Sequence, residues 1–355
     1  MRLLARRPQP AAAKGRETSI LRHLASILIL AITLALAPLP ATAQQAREIK
    51  VTRQPSIIYM PTYVMERQRL IEKHAAALGV ADLHVEWLVF AGGGNATDAL
   101  LSGNIDVIHT GPTNLLLLWD RTRGGVKGIV ASSALPLIMV SRDPRLQHLS
   151  DFTETDKIAV PTVRVSTQAV LLQMAAEQAF GPGGSTRLDG NTVQMSHPDA
   201  LVALTNPRHE VATHFGAPPY MFQELRTVAG AHRITDDRAI AGGPVSNSVS
   251  FATTKFAAAN PAVIRAIKEA TMEAEAFIRS NPREAVELYR AGSGDKTPAD
   301  ELLAMMREPG MDDYRPQPQG TLRLAQHMYR AGTLKTLPQA WTDYFFPISA
   351  DLEGS

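Results

Sequence analysis

The residues of this chain that could bind a ligand lie in loops that follow predicted strands. Open α/β sheets bind ligands at the carboxyl ends of their strands, so these loops are the first candidates for a site. Six such loops carry polar or aromatic side chains, and four of them also contain glycine; they lie at residues 54–59, 92–95, 110–113, 162–166, 214–219 and 243–247. A single glycine in one of them could be ordinary turn chemistry, but six loops in register indicate a binding site.

Two of these loops open predicted helices, which favours an anionic ligand. The run Gly92-Gly93-Gly94-Asn95 is rich in backbone amides, and residues 162–166 lead into a long helix. Helix N-termini carry positive partial charge and unpaired N–H groups. Arg164 is the cation that we place in such a loop, and with Ser166 it would suit a sulfonate, a carboxylate or a similar oxyanion. Tyr59 and Phe215 could form walls for an organic group, or could simply pack in a core.

Motifs that would indicate catalysis or metal binding are missing from the sequence. The glycine run is neither a P-loop nor a G-x-G-x-x-G motif, and no G-x-S-x-G is present. His197, His209 and His214 are the densest group of histidines; a metal site is one interpretation, and structural or surface histidines are the other. The absence of cysteine excludes disulfides, a catalytic thiol and thiolate-bound metals. We therefore predict no catalytic residue, no metal and no cofactor.

Residues 1–43 have the three-part pattern of a secretory signal peptide. Basic residues precede an apolar run over residues 24–37, and Ala41-Thr42-Ala43 forms a cleavage pattern. We predict a cut after Ala43; a retained membrane anchor is the alternative, and export by the Sec or the twin-arginine route stays open. This segment carries six basic residues and one acid, which leaves 30 basic and 33 acidic residues, a net charge of −3, in the rest. That balance removes the main support for nucleic-acid binding and, without cysteine, a lipoprotein is excluded. We predict a periplasmic protein.

The rest of the chain alternates strands and helices in two units of similar plan. A strand is predicted over Glu48 to Arg53, one helix from Pro61 to Leu78, and an apolar strand over residues 85–90 that is buried on both faces. The pattern restarts at Ile158, with a helix beginning near Ser166. Prolines at 261, 282 and 298, each after Asn or Thr, predict three helix starts. The alternation predicts an α/β fold with largely parallel sheets.

Several segments, in this order, resemble the nitrate/sulfonate/taurine-type substrate-binding proteins of ABC importers. They are QPSIIYMPTYV at 54–64, ALLSGNIDV at 99–107, Thr110-Gly111, LWD at 118–120 and MSHPDA at 195–200. The resemblance extends over nearly all of the chain after residue 43. Each motif is moderately specific, and their order and spacing together carry the resemblance.

This resemblance implies a type II periplasmic-binding-protein fold, in which two α/β lobes are joined by two crossover strands with the ligand cleft between them. Lobe 1 would comprise residues 44–138 and 247–355, and lobe 2 residues 139–246, with crossovers near 136–141 and 244–249. The expected ligand-binding residues are Gln54, Ser56, Tyr59, Gly94, Asn95, Thr110, Gly111 and Thr113 in the first lobe, and Arg164, Ser166, Phe215 and Asn247 in the second.

The resemblance also implies how such a protein works. The lobes would close on a small organic anion, and the closed monomer would deliver it to a membrane permease with its ATPase, both on other chains. A ligand sensor that reports to a membrane receptor is an alternative, because it needs the same cleft. The same fold family includes a pyrimidine synthase of thiamine biosynthesis and an aromatic-sulfinate desulfinase. Cysteines matter to the chemistry of those enzymes, and this chain has none.

Overall fold

The computed structural model describes residues 47–90 and 92–355. The predicted signal peptide and its cleavage site lie outside these residues. None of the helices in the described part is long and apolar enough to cross a membrane.

The described residues form ten strands and thirteen helices. The strands are β1 Glu48–Arg53, β2 His84–Val89, β3 Val107–Thr110, β4 Val126–Ser133, β5 Ile138–Ser141, β6 Lys157–Val160, β7 Thr192–Gln194, β8 Val211–Gly216, β9 His232–Asp236 and β10 Ser248–Thr253. The helices are α1 Met60–Arg67, α2 Leu70–Ala77, α3 Gly93–Leu101, α4 Pro112–Arg121, α5 Thr167–Phe180, α6 His197–Thr205, α7 Tyr220–Thr227, α8 Asp237–Ala241, α9 Thr254–Ala259, α10 Pro261–Ser280, α11 Pro282–Ser293, α12 Ala299–Met305 and α13 Thr321–Arg330.

The strands form two five-stranded sheets of matching plan. The first sheet has the order β2-β1-β3-β10-β4, and the second has the order β7-β6-β8-β5-β9. In each sheet the first three strands in this order are parallel to one another. The fourth strand, β10 in the first sheet and β5 in the second, is antiparallel to both of its neighbours. The chain passes from β4 to β5 through residues 134–137 and returns from β9 to β10 through residues 237–247. The predicted α/β fold with two units is confirmed.

The exact lobe limits remain a prediction, although the sheets bear on them. Ile138, which we expected at the end of lobe 1, begins β5 and pairs with Gly216 and Asp236 in the second sheet. Asn247 lies just before β10 and donates its backbone N–H to Ser133 at the end of β4.

Three local predictions need correction. The helix expected from Pro61 to Leu78 is two helices, because Arg69 adopts a left-handed conformation with φ of 52° between α1 and α2. The strand expected to be buried on both faces is β2, which lies at the edge of the first sheet and leaves Val89 60% exposed. Pro298 occupies the N-cap position of α12 and does not start the helix, whereas Pro261 and Pro282 do start α10 and α11.

The C-terminal segment covers the outer edge strand of the first sheet. Phe345 forms a parallel bridge with Gly128 of β4, and the Phe346 N–H donates to the Gly128 carbonyl at 2.7 Å. A Cβ at Gly128 would lie 2.6 Å from Cε1 of Phe345 and 2.9 Å from Cδ2 of Leu115. The glycine therefore lets the segment shield part of the strand edge.

Replacing Gly128 with alanine should destabilise this cover. Because the methyl group would overlap Phe345 and Leu115, we expect Gly128→Ala to lower the free energy of unfolding by about 1–3 kcal/mol. Urea denaturation measures the change. Gly190→Ala is the matched control, since a Cβ at Gly190 meets no atom within 4 Å. Equal stability of the two variants would contradict this account of the edge.

Candidate functional site

A small cavity lies between the two sheets, where loops from both meet. Its volume open to water-sized molecules is about 40 Å³, room for roughly three waters at about 10–15 Å³ each. Its walls are formed by Gln54, Pro55, Ile58, Tyr59, Gly93, Thr110, Gly111, Asn114, Leu137, Pro161, Ser166, Thr167, Gln168, His197, Pro198, Ala217 and Asn247. Most of these residues follow β1, β3, β6 and β8 or begin helices, and Leu137 and Asn247 directly precede β5 and β10, so the cavity sits where parallel strands end.

Four helices, two from each sheet, begin at this cavity. Helices α3 and α4 start after Gly92 and Gly111, which provide no side-chain cap; α5 starts after Ser166, and α6 starts at His197. Within the described part of the chain, the cavity wall contains no Asp, Glu, Lys or Arg. The positive potential therefore comes from helix ends and neutral donors, an arrangement that suits a single small oxyanion.

Polar side chains around the cavity are held in fixed orientations. The Asn247 amide donates to the Leu135 carbonyl at 2.8 Å and to Oδ2 of Asp237 at 2.9 Å. Its Oδ1 is buried and has no partner among the described residues. Burial raises the pKa of Asp237 to about 6.

Side chains from the first sheet complete the polar wall. The Gln54 amide donates to the His109 carbonyl at 3.1 Å, and the Tyr59 hydroxyl is hydrogen-bonded to the side chain of Thr110. Burial raises the pKa of Tyr59, so its phenol stays protonated. Gly93 is packed tightly here, because a Cβ would lie 2.4 Å from Oγ1 of Thr110.

Direct contacts hold the two halves of the cavity together. The Ser56 hydroxyl donates to the Pro218 carbonyl at 2.6 Å, and the Thr113 hydroxyl donates to the Val165 carbonyl at 2.8 Å. Gly111 lies against Thr167 so closely that a Cβ at Gly111 would come 2.2 Å from Oγ1 of Thr167. The structure thus shows the two sheets closed on each other.

The structure brings half of the expected ligand-binding residues to the cavity wall. These are Gln54, Tyr59, Thr110, Gly111, Ser166 and Asn247. Ser56 and Thr113 instead form contacts between the halves. Gly94 and Asn95 line a neighbouring depression with Thr162 and Asp199.

Two expected ligand contacts are placed away from the cavity. Phe215 is fully buried, which fits the interpretation as core packing. Arg164 is exposed, in a left-handed conformation with φ of 63°, and does not line the cavity. Arg164 does lie beside the start of α5, as the sequence indicated, but its left-handed backbone conformation places the residue at the surface.

Sequence reasoning missed several wall residues. Gly93, Asn114, Thr167, Gln168 and His197 line the cavity but were not selected. Thr167 and Gln168 directly follow the N-cap Ser166, so the first turn of α5 carried the signal. His197 belonged to the group of histidines that we noted, and its place at the start of α6 was the second signal.

The histidine group is a hydrogen-bonded chain that includes a carboxylate. Nδ1 of His197 lies 2.8 Å from Nε2 of His214, and Nδ1 of His214 lies 2.6 Å from Oε1 of Glu224. His214 and Glu224 are fully buried. His209 is outside this chain and accepts from the Val211 N–H. Over the described residues, no group of three or more His, Asp or Glu could hold a metal ion.

Alanine at Gly111 should oppose closure without harming either half. Gly111 has φ of −64° and ψ of 151°, which alanine adopts freely, but the methyl group would overlap Thr167 across the cleft. We expect Gly111→Ala to weaken ligand binding about 10- to 100-fold, from an overlap of about 1–3 kcal/mol, with little change in ligand-free stability. Calorimetry and urea denaturation measure the two effects, with Gly190→Ala as control. Unchanged ligand affinity of Gly111→Ala would contradict the role of the Gly111–Thr167 contact in closure.

Comparison with known proteins identifies the fold. No protein-family model matches the chain, and no curated protein sequence is significantly similar to it.

Solved structures do match. The alkanesulfonate-binding protein SsuA from Xanthomonas axonopodis pv. citri, bound to MOPS, is 14% identical with a TM-score of 0.64 over 88% of this chain and 99% of that one. The periplasmic aliphatic sulphonate-binding protein SsuA from Escherichia coli is 16% identical with a TM-score of 0.62, over 85% and 92%. The periplasmic nitrate-binding protein NrtA from Synechocystis PCC 6803 is 14% identical with a TM-score of 0.61, over 82% and 83%. The chain therefore has the fold of these periplasmic binding proteins, as the sequence resemblance predicted.

Proposed function

We propose that this protein is the periplasmic solute-binding component of an ABC importer and that it captures a small organic anion. The observation that carries the proposal is the convergence of four helix N-termini on one cavity whose described wall has no charged side chain. Three structural neighbours bind a sulfonate or nitrate or are named for doing so, which supports the same ligand chemistry here. Sulfonate-, taurine- and carboxylate-like anions are the candidate ligands.

Cavity size favours the compact members of this class. A space of about 40 Å³ accommodates a few heavy atoms, and larger anions would require the halves to separate further. Neutral donors suit this task, because they bind a monovalent anion without the cost of burying an unpaired cation when the ligand leaves. The free acceptor on Asn247 would favour ligands that also carry an N–H or O–H group.

Closure is the proposed mechanism of capture. Each half supplies two helix ends, so an anion gains all four interactions only when the halves meet. Binding therefore stabilises the closed form by the difference in ligand affinity between the open and closed forms. The contacts through Ser56, Thr113 and Gly111 would complete that form. The closed monomer would then dock on a permease whose ATPase powers import.

Binding without turnover is the test of this proposal. Thermal unfolding and calorimetry would use nitrate, methanesulfonate, acetate and taurine in amine buffers, because common sulfonate buffers could themselves compete. We expect at least one of the organic anions, methanesulfonate, acetate or taurine, to bind and to stabilise the protein by about 2.7 kcal/mol at 100 times its Kd, whereas ammonium and guanidinium ions should not bind. Failure of every anion, or consumption of a bound one followed by NMR, would overturn the proposal.

A further inference from the structure

The chain of Glu224, His214 and His197 connects a fully buried carboxylate to the cavity wall. His197 is the end that lines the cavity, and its Nε2 lies 3.4 Å from Nε2 of Gln168, another wall residue. Oε2 of Glu224 has no hydrogen-bond partner within the described residues. The proposed capture of an anion does not by itself require a buried carboxylate behind the binding wall, so this arrangement needs its own explanation.

The hydrogen-bonded chain of Glu224, His214 and His197 has two protonation states, which differ by one proton. When both imidazoles are neutral and Glu224 is ionised, His214 donates from Nδ1 to Glu224, and His197 donates from Nδ1 to His214. Nε2 of His197 then presents a lone pair to the cavity, and the three groups carry a total charge of −1. A third proton, placed on Nε2 of His197, makes the total charge zero and turns this atom into a donor.

The contact with Gln168 is consistent with the two-proton state. An amide nitrogen only donates, so the Gln168 side chain in this orientation requires an acceptor at Nε2 of His197. An oxyanion facing the same atom would meet a lone pair backed by a negative charge. It can bind well only when that nitrogen carries a proton, and the Gln168 amide can then turn to present its oxygen.

We propose that oxyanion binding in the cavity is coupled to the uptake of one proton by the chain of Glu224, His214 and His197. This inference rests on the proposed function and adds a pH dependence to it. The proton comes from solvent, adds to Nε2 of His197 and returns to solvent when the anion leaves. Glu224 balances the positive charge, which would otherwise be costly in a buried pair of rings.

The surroundings of His197 support this assignment. Burial, followed by the neighbouring His214, lowers the pKa of His197 well below its usual value, so the lone pair predominates at neutral pH until an anion binds. The other groups that face the chain from the packed elements are Gln168 of α5, Asp199 of α6, Tyr220 of α7, Tyr59 across the cavity and Asp295 behind Tyr220. Asp199 is exposed to solvent, and burial raises the pKa values of both tyrosines. Asp237, whose pKa burial raises to about 6, is hydrogen-bonded to the wall residue Asn247, and the His197→Gln variant described below separates its protonation from that of His197.

Calorimetry can count the proton directly. Nitrate and methanesulfonate stay ionised across the accessible pH range and have no hydrogen to donate, so any proton taken up must come to the protein. Titrations in two amine buffers of different ionisation enthalpy give the uptake per anion. We expect uptake of about one proton near neutral pH and a Kd that rises about tenfold per pH unit between about pH 6 and 8.

Variants separate this role from simple packing. In His197→Gln a polar side chain remains but cannot take the proton, so uptake should fall to zero and the Kd should no longer depend on pH. Glu224→Gln keeps the shape but removes the balancing charge, so uptake should move to lower pH. His84→Gln removes an exposed histidine of β2 and should behave as the unmodified protein. A second measurement does not depend on the folding of the buried variant Glu224→Gln. In ¹⁵N NMR of the unmodified, ligand-free protein, Nε2 of His197 should be unprotonated at neutral pH.

The outcomes distinguish the inference from the function beneath it. Binding of nitrate or methanesulfonate with no proton uptake would overturn the inference and leave the proposed function intact. So would a protonated Nε2 of His197 in the ligand-free protein at neutral pH. If none of the anions binds, the proposed function itself fails.

Discussion

The close approach of the Gly111 backbone to the Thr167 side chain across the cleft is the constraint on which the rest of the structure depends. Gly111 at the start of α4 meets Thr167 at the start of α5 with no space for a side chain. Only this proximity brings helix ends from different sheets to one small cavity. The flanking hydrogen bonds from Thr113 and Ser56 to backbone carbonyls use short side chains for the same reason. Longer residues at these positions would hold the halves apart and divide the site.

The electrostatics of the site follow from that geometry. With helix ends supplying the attraction, the described wall needs no cation, and the cation expected there, Arg164, is exposed to solvent. Charge is placed behind the wall: Glu224 is connected to the cavity through two imidazoles, and Asp237 accepts a hydrogen bond from the wall residue Asn247. One proton on an imidazole can therefore change the electrostatic potential of the cavity. An arginine in the wall would keep its positive charge at every accessible pH.

Much of the architecture could be predicted from local sequence, because strand alternation and helix starts leave clear marks. Ser166 was recognised as the start of α5, and the loops that bear Gln54, Thr110 and Asn247 were recognised as cavity loops. The failures have physical causes. The direction of Arg164 depends on a left-handed backbone, and the break at Arg69 has the same origin. The exposure of β2 depends on strand order, which its apolar sequence does not encode. The link from His197 to Glu224 joins residues 27 positions apart and needed three-dimensional contacts to be seen.

The central claim, that a small oxyanion holds the two halves closed, is tested most directly by a distance between them. The chain has no cysteine, so two introduced cysteines can carry spin labels without further changes. Asp98→Cys on α3 and Val202→Cys on α6 use exposed positions on helices that begin at opposite walls of the cavity. In pulsed electron paramagnetic resonance measurements, an anion that binds should shorten and narrow the distribution of distances between the two labels. An unchanged distribution at anion concentrations that saturate the site by calorimetry would contradict the central claim.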